Sequence, residues 1–294
     1  MTKSISPIPY INHGGTDAPL HFLHANGYPP ACYQPLIDLL KTGHRVFGML
    51  LRPLWPNSDP TEINDWHLLS EDLLQFLDDQ KCGPVIGMGH SIGAIVALRA
   101  ALKEPKRFRA LVLMEPVLFP RYYILEWNIA RTLGLGYRLH PLINGALKRR
   151  REFDDLDKVF EGYRRRDIFR FCSDENLHAF IKGMTKPKAD GGREASPSGG
   201  YELAYSPEWE ARVYYTGIWR DWDLWNGLSH LEIPTLIIRG TETDTFWEST
   251  ARMVEQKKNA MIKIVALEKS THLLPLERPQ EVFDITEKFL KDVL

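Results

Sequence analysis

Short apolar runs alternate along this chain with segments whose apolar positions recur every three or four residues. "IPYINHGGTDAPLHFLH" reads as a hairpin of two short strands around "NHGG", whose Asn and Gly residues tolerate positive φ. "ACYQPLIDLLKTG" has helical spacing and a stop signal in Gly43, and "HRVFGML" is a strand. After the proline-rich "RPLWPNSDP", the helical "INDWHLLSEDLLQFLDDQ" leads into the strand "GPVIGMGH". The helix "SIGAIVALRAALKEP" and the buried strand "FRALVLMEPVLF" follow. Strands joined by crossover helices predict an α/β fold: a mostly parallel sheet flanked by helices on both faces.

The rhythm breaks from about Arg121 to Leu231, where segments are aromatic and basic without strand–helix alternation. It resumes with "IPTLIIRG", "WESTARMVEQK", "MIKIVALE" and "PQEVFDITEKFLKDVL". A stretch this long is more than a loop, and it predicts a mainly helical cap at 119–231 between two parts of one core, 1–118 and 232–294. Within it, "KPKADGGREASPSGG" reads as a mobile loop or hairpin tip. Its many aromatics are expected chiefly to form its own core, with Trp219 and Trp222 as candidates to line a substrate pocket. The clusters "KRRRE" and "RRRD" read as solvated helix faces.

Composition narrows the picture by exclusion. The 294 residues are 44% hydrophobic and 26% charged, an ordinary globular balance. A net charge of −1 provides no global field for nucleic acid or an anionic membrane, so neither is an expected partner. Three scattered cysteines, Cys32, Cys82 and Cys172, lack metal or disulfide-framework spacing, which favours a reducing, cytoplasmic setting. "MTKSISPIPYINHGG" has no apolar core of signal-peptide length, and no segment is long enough to span a bilayer.

The chemistry concentrates in "GMGHSIGA", which holds Gly-x-Ser-x-Gly where a strand becomes a helix. In that setting Ser91 sits on a strained turn that lifts its hydroxyl clear of the sheet. Gly89 and Gly93 are then required because side chains there would strike the neighbouring helix and strand. The helix behind the serine offers the Ile92 N–H to a developing oxyanion. A serine hydroxyl needs a base, and the base needs an orienting acid, in the chain order Ser, acid, His. Asp244 in "LIIRGTETDTF" and His272 in "LEKSTHLLPLERP" follow predicted strands and complete that order. Glu242 is a neighbour of Asp244, and Glu115, at the end of the strand after the elbow helix, is an alternative acid. His24 is read as ordering its loop or lining the pocket, and His90 as packing behind the elbow.

In this order of elements the chain resembles the α/β-hydrolase fold over essentially its whole length. "HANGYPP" occupies the place of that family's His-Gly-x-Pro-type oxyanion loop, with Ala25 where Gly is common. The resemblance implies that the Asn26 N–H is the second oxyanion donor. A serine at the elbow argues against the haloalkane dehalogenase and epoxide hydrolase branches, which carry aspartate there.

The reading is therefore a serine hydrolase, without cofactor or metal, that cleaves a small or medium ester-type bond in a small molecule. Ester, lactone, thioester and carbon–carbon bonds all remain open to the same residues, as do acyl transfer and perhydrolysis. A non-catalytic ligand-binding protein on this fold is the alternative of a different class. Compact apolar or aromatic acyl groups are expected in preference to long-chain triglycerides, because the average hydrophobicity suggests no interfacial surface. A monomer or a homodimer is equally compatible with the sequence.

Overall fold

The computed structural model describes residues 7–188 and 199–294. Its main sheet has seven strands: β1 (Tyr10–Gly14), β2 (Ala18–Leu23), β3 (His44–Met49), β4 (Val85–His90), β5 (Phe108–Met114), β9 (Thr235–Gly240) and β10 (Ile262–Leu267). They lie in the order β1-β3-β2-β4-β5-β9-β10, with β1 antiparallel and the others parallel.

Side chains of β5 show how the sheet is buried. Leu111 and Leu113 enter one hydrophobic cluster, while Ala110, Val112 and Met114 enter another on the opposite face. The first cluster packs beneath α2 (His67–Asp79), α3 (Ile92–Lys103) and α11 (Glu248–Glu255). The second packs beneath α1 (Gln34–Leu40) and α13 (Pro279–Val293). Helix α3 is buried from Ile92 to Ala101, and its Gly93, Ala94, Ala97 and Ala100 let it lie close to the strands.

The first two strands differ from the expected hairpin. β1 and β2 do not pair with each other; β3 lies between them, antiparallel to β1 and parallel to β2. Gly14 and Gly15, at φ 92° and 85°, do reverse the chain, but the reversal carries it past the width of one strand. At Gly15 a Cβ would meet the carbonyl oxygens of His44 and Lys41.

Between β5 and β9 the chain leaves the sheet. It forms α4 (Arg121–Thr132), α5 (Gly136–Leu139), α6 (Pro141–Leu147), α7 (Leu156–Arg164), α8 (Asp174–Met184), α9 (Pro207–Thr216) and α10 (Trp222–Gly227). A small antiparallel sheet, β6 (Glu152–Phe153), β8 (Tyr201–Leu203) and β7 (Thr185–Pro187), joins them. Of the expected mobile stretch, 189–198 lies outside the described residues, and its flanks are the paired β7 and β8. Helix α12 (Leu274–Glu277) sits just before α13.

Ion pairs, the Arg99–Asp221 one buried, fasten this insertion to the elbow helix. Arg99 of α3 donates to Asp221 at 2.7 Å and to Asp223 at 2.8 Å, and His67 of α2 also reaches Asp223, at 3.1 Å. Burial pushes the Asp221 carboxyl up to about 6, while the His67 and Arg99 bonds hold Asp223 far below the usual range against its own burial.

Candidate active site

Because β2, β4, β5, β9 and β10 are parallel neighbours, the loops after their carboxyl ends meet at one edge of the sheet. Ser91 follows β4 with φ 58° and ψ −118°, a backbone setting L-residues rarely adopt. Its N–H is held by the Met114 carbonyl at 2.9 Å. A Cβ at Gly89 would lie 2.5 Å from the Gly93 carbonyl carbon. One at Gly93 would lie 2.5 Å from the Leu23 carbonyl oxygen and 2.8 Å from that of His24. The glycines thus allow the elbow helix to touch both its own strand and the loop after β2.

The Ser91 hydroxyl lies 3.0 Å from His272 Nε2, and His272 Nδ1 lies 3.3 Å from Glu115 Oε2. Ser91 is 7% exposed and Glu115 fully buried. Glu115, at φ 48°, begins the turn out of β5, and its N–H donates to the Ile238 carbonyl of the neighbouring strand. Its carboxylate accepts the Gly240 N–H at 2.6 Å, the Thr243 hydroxyl and, at 3.5 Å, the Phe246 N–H. Those donors come from the end of β9 and the loop that follows it.

Asp244, expected to orient the histidine, is placed elsewhere. It is exposed on that same loop, where it accepts the Thr245 hydroxyl at 3.0 Å. The loop turns Thr243 and the Phe246 N–H inward onto Glu115, and this carries the Asp244 side chain outward. Glu242 is also exposed and pairs with Arg170 at 2.8 Å.

His272 is held through its own backbone. Its carbonyl accepts from His90 Nε2 at 2.7 Å, so the other His90 nitrogen is unprotonated and accepts from the Tyr33 hydroxyl, also at 2.7 Å. The Tyr33 oxygen in turn accepts the Ala25 N–H at 3.1 Å. One chain of hydrogen bonds therefore joins the loop after β2, the elbow and the histidine loop. Burial, and the nearby His272, push the His90 imidazole well below its ordinary pKa. Glu277 secures the next turn by accepting the Thr271 N–H and hydroxyl, both at 2.8 Å. Tyr33 and Glu277 carry no motif in the sequence; only the fold brings them here.

Asn26 lies beside the elbow with its amide fixed at both ends. It accepts the Tyr205 hydroxyl at 2.9 Å and donates to the Glu210 carbonyl at 3.0 Å. Among the described residues no acceptor takes the N–H of Asn26 or of Ile92, whereas the Ala25 N–H is occupied by Tyr33. Gly27, at φ 74°, passes the Glu210 carboxyl so closely that a Cβ would lie 3.0 Å from it. Glu210 is itself paired with Arg149 at 2.5 Å.

His24 is fully buried: Nδ1 donates to the Ala25 carbonyl at 2.8 Å and Nε2 accepts the Leu51 N–H at 3.2 Å. It is a loop strut rather than a pocket wall, and burial brings its pKa down to about 4. Trp219 lies under the Arg131 guanidinium at 4.3 Å, and Trp222 is 36% exposed. Tyr28 stacks 6.5 Å from His90 and lies edge-on to Phe180 at 5.1 Å. Among the described residues no group of His, Cys, Asp and Glu is arranged to hold a metal ion.

A model of the alpha/beta hydrolase family matches residues 22–285, which span both parts of the sheet and the insertion. The chain belongs to the alpha/beta hydrolase family. Its curated relatives are distant. A pimeloyl-[acyl-carrier protein] methyl ester esterase of Legionella pneumophila (strain Corby) is 22% identical, with 96% of this chain and 99% of that protein covered. A proline iminopeptidase of Saccharolobus solfataricus is 24% identical over 88% of this chain and 80% of its own length. Among solved structures, an alpha/beta hydrolase from Novosphingobium aromaticivorans superposes with a TM-score of 0.73 at 17% identity, covering 97% of this chain and 93% of its own. E-2-(acetamidomethylene)succinate hydrolase gives 0.72 at 18% identity, with 95% and 93% covered. At these identities the structural likeness speaks for the α/β-hydrolase fold alone, and the named relatives favour a hydrolase.

Proposed function

We propose that this alpha/beta hydrolase family member is a serine hydrolase that cleaves a small or medium carboxylic ester in a small-molecule substrate, without a cofactor. The observation that carries the reading is the continuous path from Ser91 Oγ through His272 to the buried Glu115 carboxylate. His272 Nε2 takes the serine proton as Oγ attacks the ester carbonyl, and the imidazolium then donates from Nδ1 to Glu115. The carbonyl oxygen becomes an oxyanion held by the N–H groups of Ile92 and Asn26. The protonated Nε2 gives its proton to the departing alkoxide, leaving an acyl group on Ser91. Water, deprotonated by the same nitrogen, releases the acid and restores the serine.

Glu115 fits the orienting role better than Asp244 because it is buried, fixed by three donors besides the histidine, and aimed at Nδ1. The insertion at 119–231 acts as a cap, reaching the oxyanion loop through Tyr205 and Glu210. The esterase and iminopeptidase names among the relatives support acyl transfer to water as the reaction class.

The test is labelling by a fluorophosphonate probe followed by turnover of a panel of esters of increasing acyl length. Labelling that Ser91→Ala abolishes, together with ester turnover, is the expected result. Labelling without turnover of any ester would leave a binding protein on a hydrolase fold, and no labelling would remove the activated serine.

A further inference from the structure

The insertion exposes an unusual amount of apolar side chain in one place. Helix α4 turns Ile124 and Trp127 inward, yet Tyr122, Leu125 and Ile129 lie on its outer side. With Leu133, Leu139 and Leu142 on the following turns, these are six large apolar residues, each at least 52% exposed. Helix α4 is therefore apolar on two faces, and only one of them is covered by the protein. The averaged composition hides this, because the feature is local.

The charge is equally local. Residues 121–151 hold seven Lys and Arg against the single acid Glu126, a net +6 in a chain whose total is −1; ion pairs of Arg149, Arg150 and Arg151 with Glu210, Asp154 and Glu208 offset three of these charges, leaving a local excess of +3. At the end of α6 a cavity of about 450 Å³ opens, lined by Lys148, Arg149, Arg150, Lys158 and Arg166 with no acidic side chain among its lining residues. Gly145 and Gly162 also line it, and a Cβ at either would meet nothing within 4 Å. Lys148 and Arg166 form no ion pair among the described residues.

We propose that this face is a docking surface for an anionic phospholipid bilayer. The outer side chains of α4–α6 enter the boundary between headgroups and acyl chains, and the basic cavity receives a phosphate headgroup. A second copy of the chain is a poorer occupant, because a two-fold interface would set two net-basic faces against each other. A soluble phosphate would account for the cavity and leave the exposed helices unexplained. The net negative charge of the rest of the chain turns the basic face toward a negative surface. Arg149 links the cavity to Glu210, whose carbonyl holds Asn26, so docking lies next to the loop beside Ser91. That the docked enzyme draws amphiphilic esters from the lipid phase rests on the hydrolase reading; the docking itself does not.

Sedimentation of the full chain with vesicles tests this. Vesicles of phosphatidylcholine carrying a third phosphatidylglycerol should bind it about tenfold or more tightly than phosphatidylcholine alone, and added salt should weaken the binding. Leu125→Ser/Ile129→Ser/Leu133→Ser and, separately, Lys148→Glu/Arg166→Glu should each weaken it by about tenfold, with circular dichroism and turnover of a water-soluble ester unchanged. Inorganic phosphate and glycerol phosphate, matched in ionic strength by chloride, should displace the protein no better than chloride does. Equal binding to both vesicle types, full binding by both variants, or displacement specific to phosphate would overturn the proposal. So would a dimer that the leucine variant dissolves in a chain that ignores vesicles. Vesicle binding without turnover of any ester would uphold the docking and sink the hydrolase reading instead.

Discussion

The carboxyl edge of the main sheet and the insertion between β5 and β9 solve opposite problems. At the sheet edge the side chains that position Ser91 and His272 are buried and answered: Glu115 has four donors, His90 has a partner on each nitrogen, and Asn26 is held at both ends of its amide. In α4–α6 large apolar groups stand in water and cations outnumber acids. Side chains buried and paired in this way store geometry, because displacing one leaves a polar group unsatisfied. A surface of exposed aliphatics stores affinity for something else. On the proposed reading, chemistry and access are assigned to different parts of one chain.

Changes at the sheet edge should break this division most severely. His272→Ala should lower kcat on any ester by about 10⁴-fold or more, since base and acid are lost together. No single substitution in α4–α6 should approach that. A kinetic comparison on one soluble ester checks both, and an α4–α6 variant as damaging as His272→Ala would end the distinction.

Tyr33→Phe should act next most strongly. It leaves the Ala25 N–H and His90 Nδ1 without partners in the core, which costs about 1–3 kcal/mol of stability. It should also reduce kcat by about tenfold while KM changes little, because the His272 backbone loses its fixed support. Denaturant unfolding and steady-state kinetics read the two effects separately.

Acid should test the same buried edge. His21 and His24 have pKa values lowered to about 3 and about 4 by burial, against 6.5 in an unfolded chain. The unfolded state therefore binds more protons between these values, so stability is full above pH 6.5 and falls as pH drops toward 4. Each such histidine contributes a slope of about 1.4 kcal/mol per pH unit. His140 in the insertion, also lowered to about 4, adds another. Unfolding free energies measured across this range should show the slope reduced by one proton in either His24→Asn or His140→Asn, with activity at neutral pH changed only by the first.

The smallest effect is expected from Trp219→Ala. This ring lies in the insertion under Arg131, so its loss should shift relative kcat/KM among acyl groups by about threefold at most, leaving probe labelling of Ser91 intact. A large loss of labelling would mean that the insertion shapes the reacting groups themselves.

Most of the sheet was legible because a strand buried on both faces has to be written as an unbroken apolar run, as in "FRALVLM" and "TLIIRG". The elbow was legible because glycine is demanded where Gly93 meets the Leu23 carbonyl. The pairing of β1 was not, since adjacency in sequence favours a hairpin and nothing local reveals that β3 slips between. The acid was ambiguous for a similar reason. An acidic residue follows both β5 and β9, and which one faces His272 depends on how one loop turns Thr243 inward and Asp244 outward. The outer face of α4 was hidden because a second apolar stripe on a helix is written in the same letters as a core.

The central claim is that Glu115, through His272, makes Ser91 a nucleophile. Its most direct measurement is kcat for Glu115→Gln and Asp244→Asn, purified side by side and assayed on one ester. The amide at position 115 should favour the wrong imidazole tautomer and lower kcat by about 10³–10⁴-fold, while the exposed position 244 should change it by less than about threefold. A ranking in the opposite direction would contradict the account and return the orienting role to Asp244.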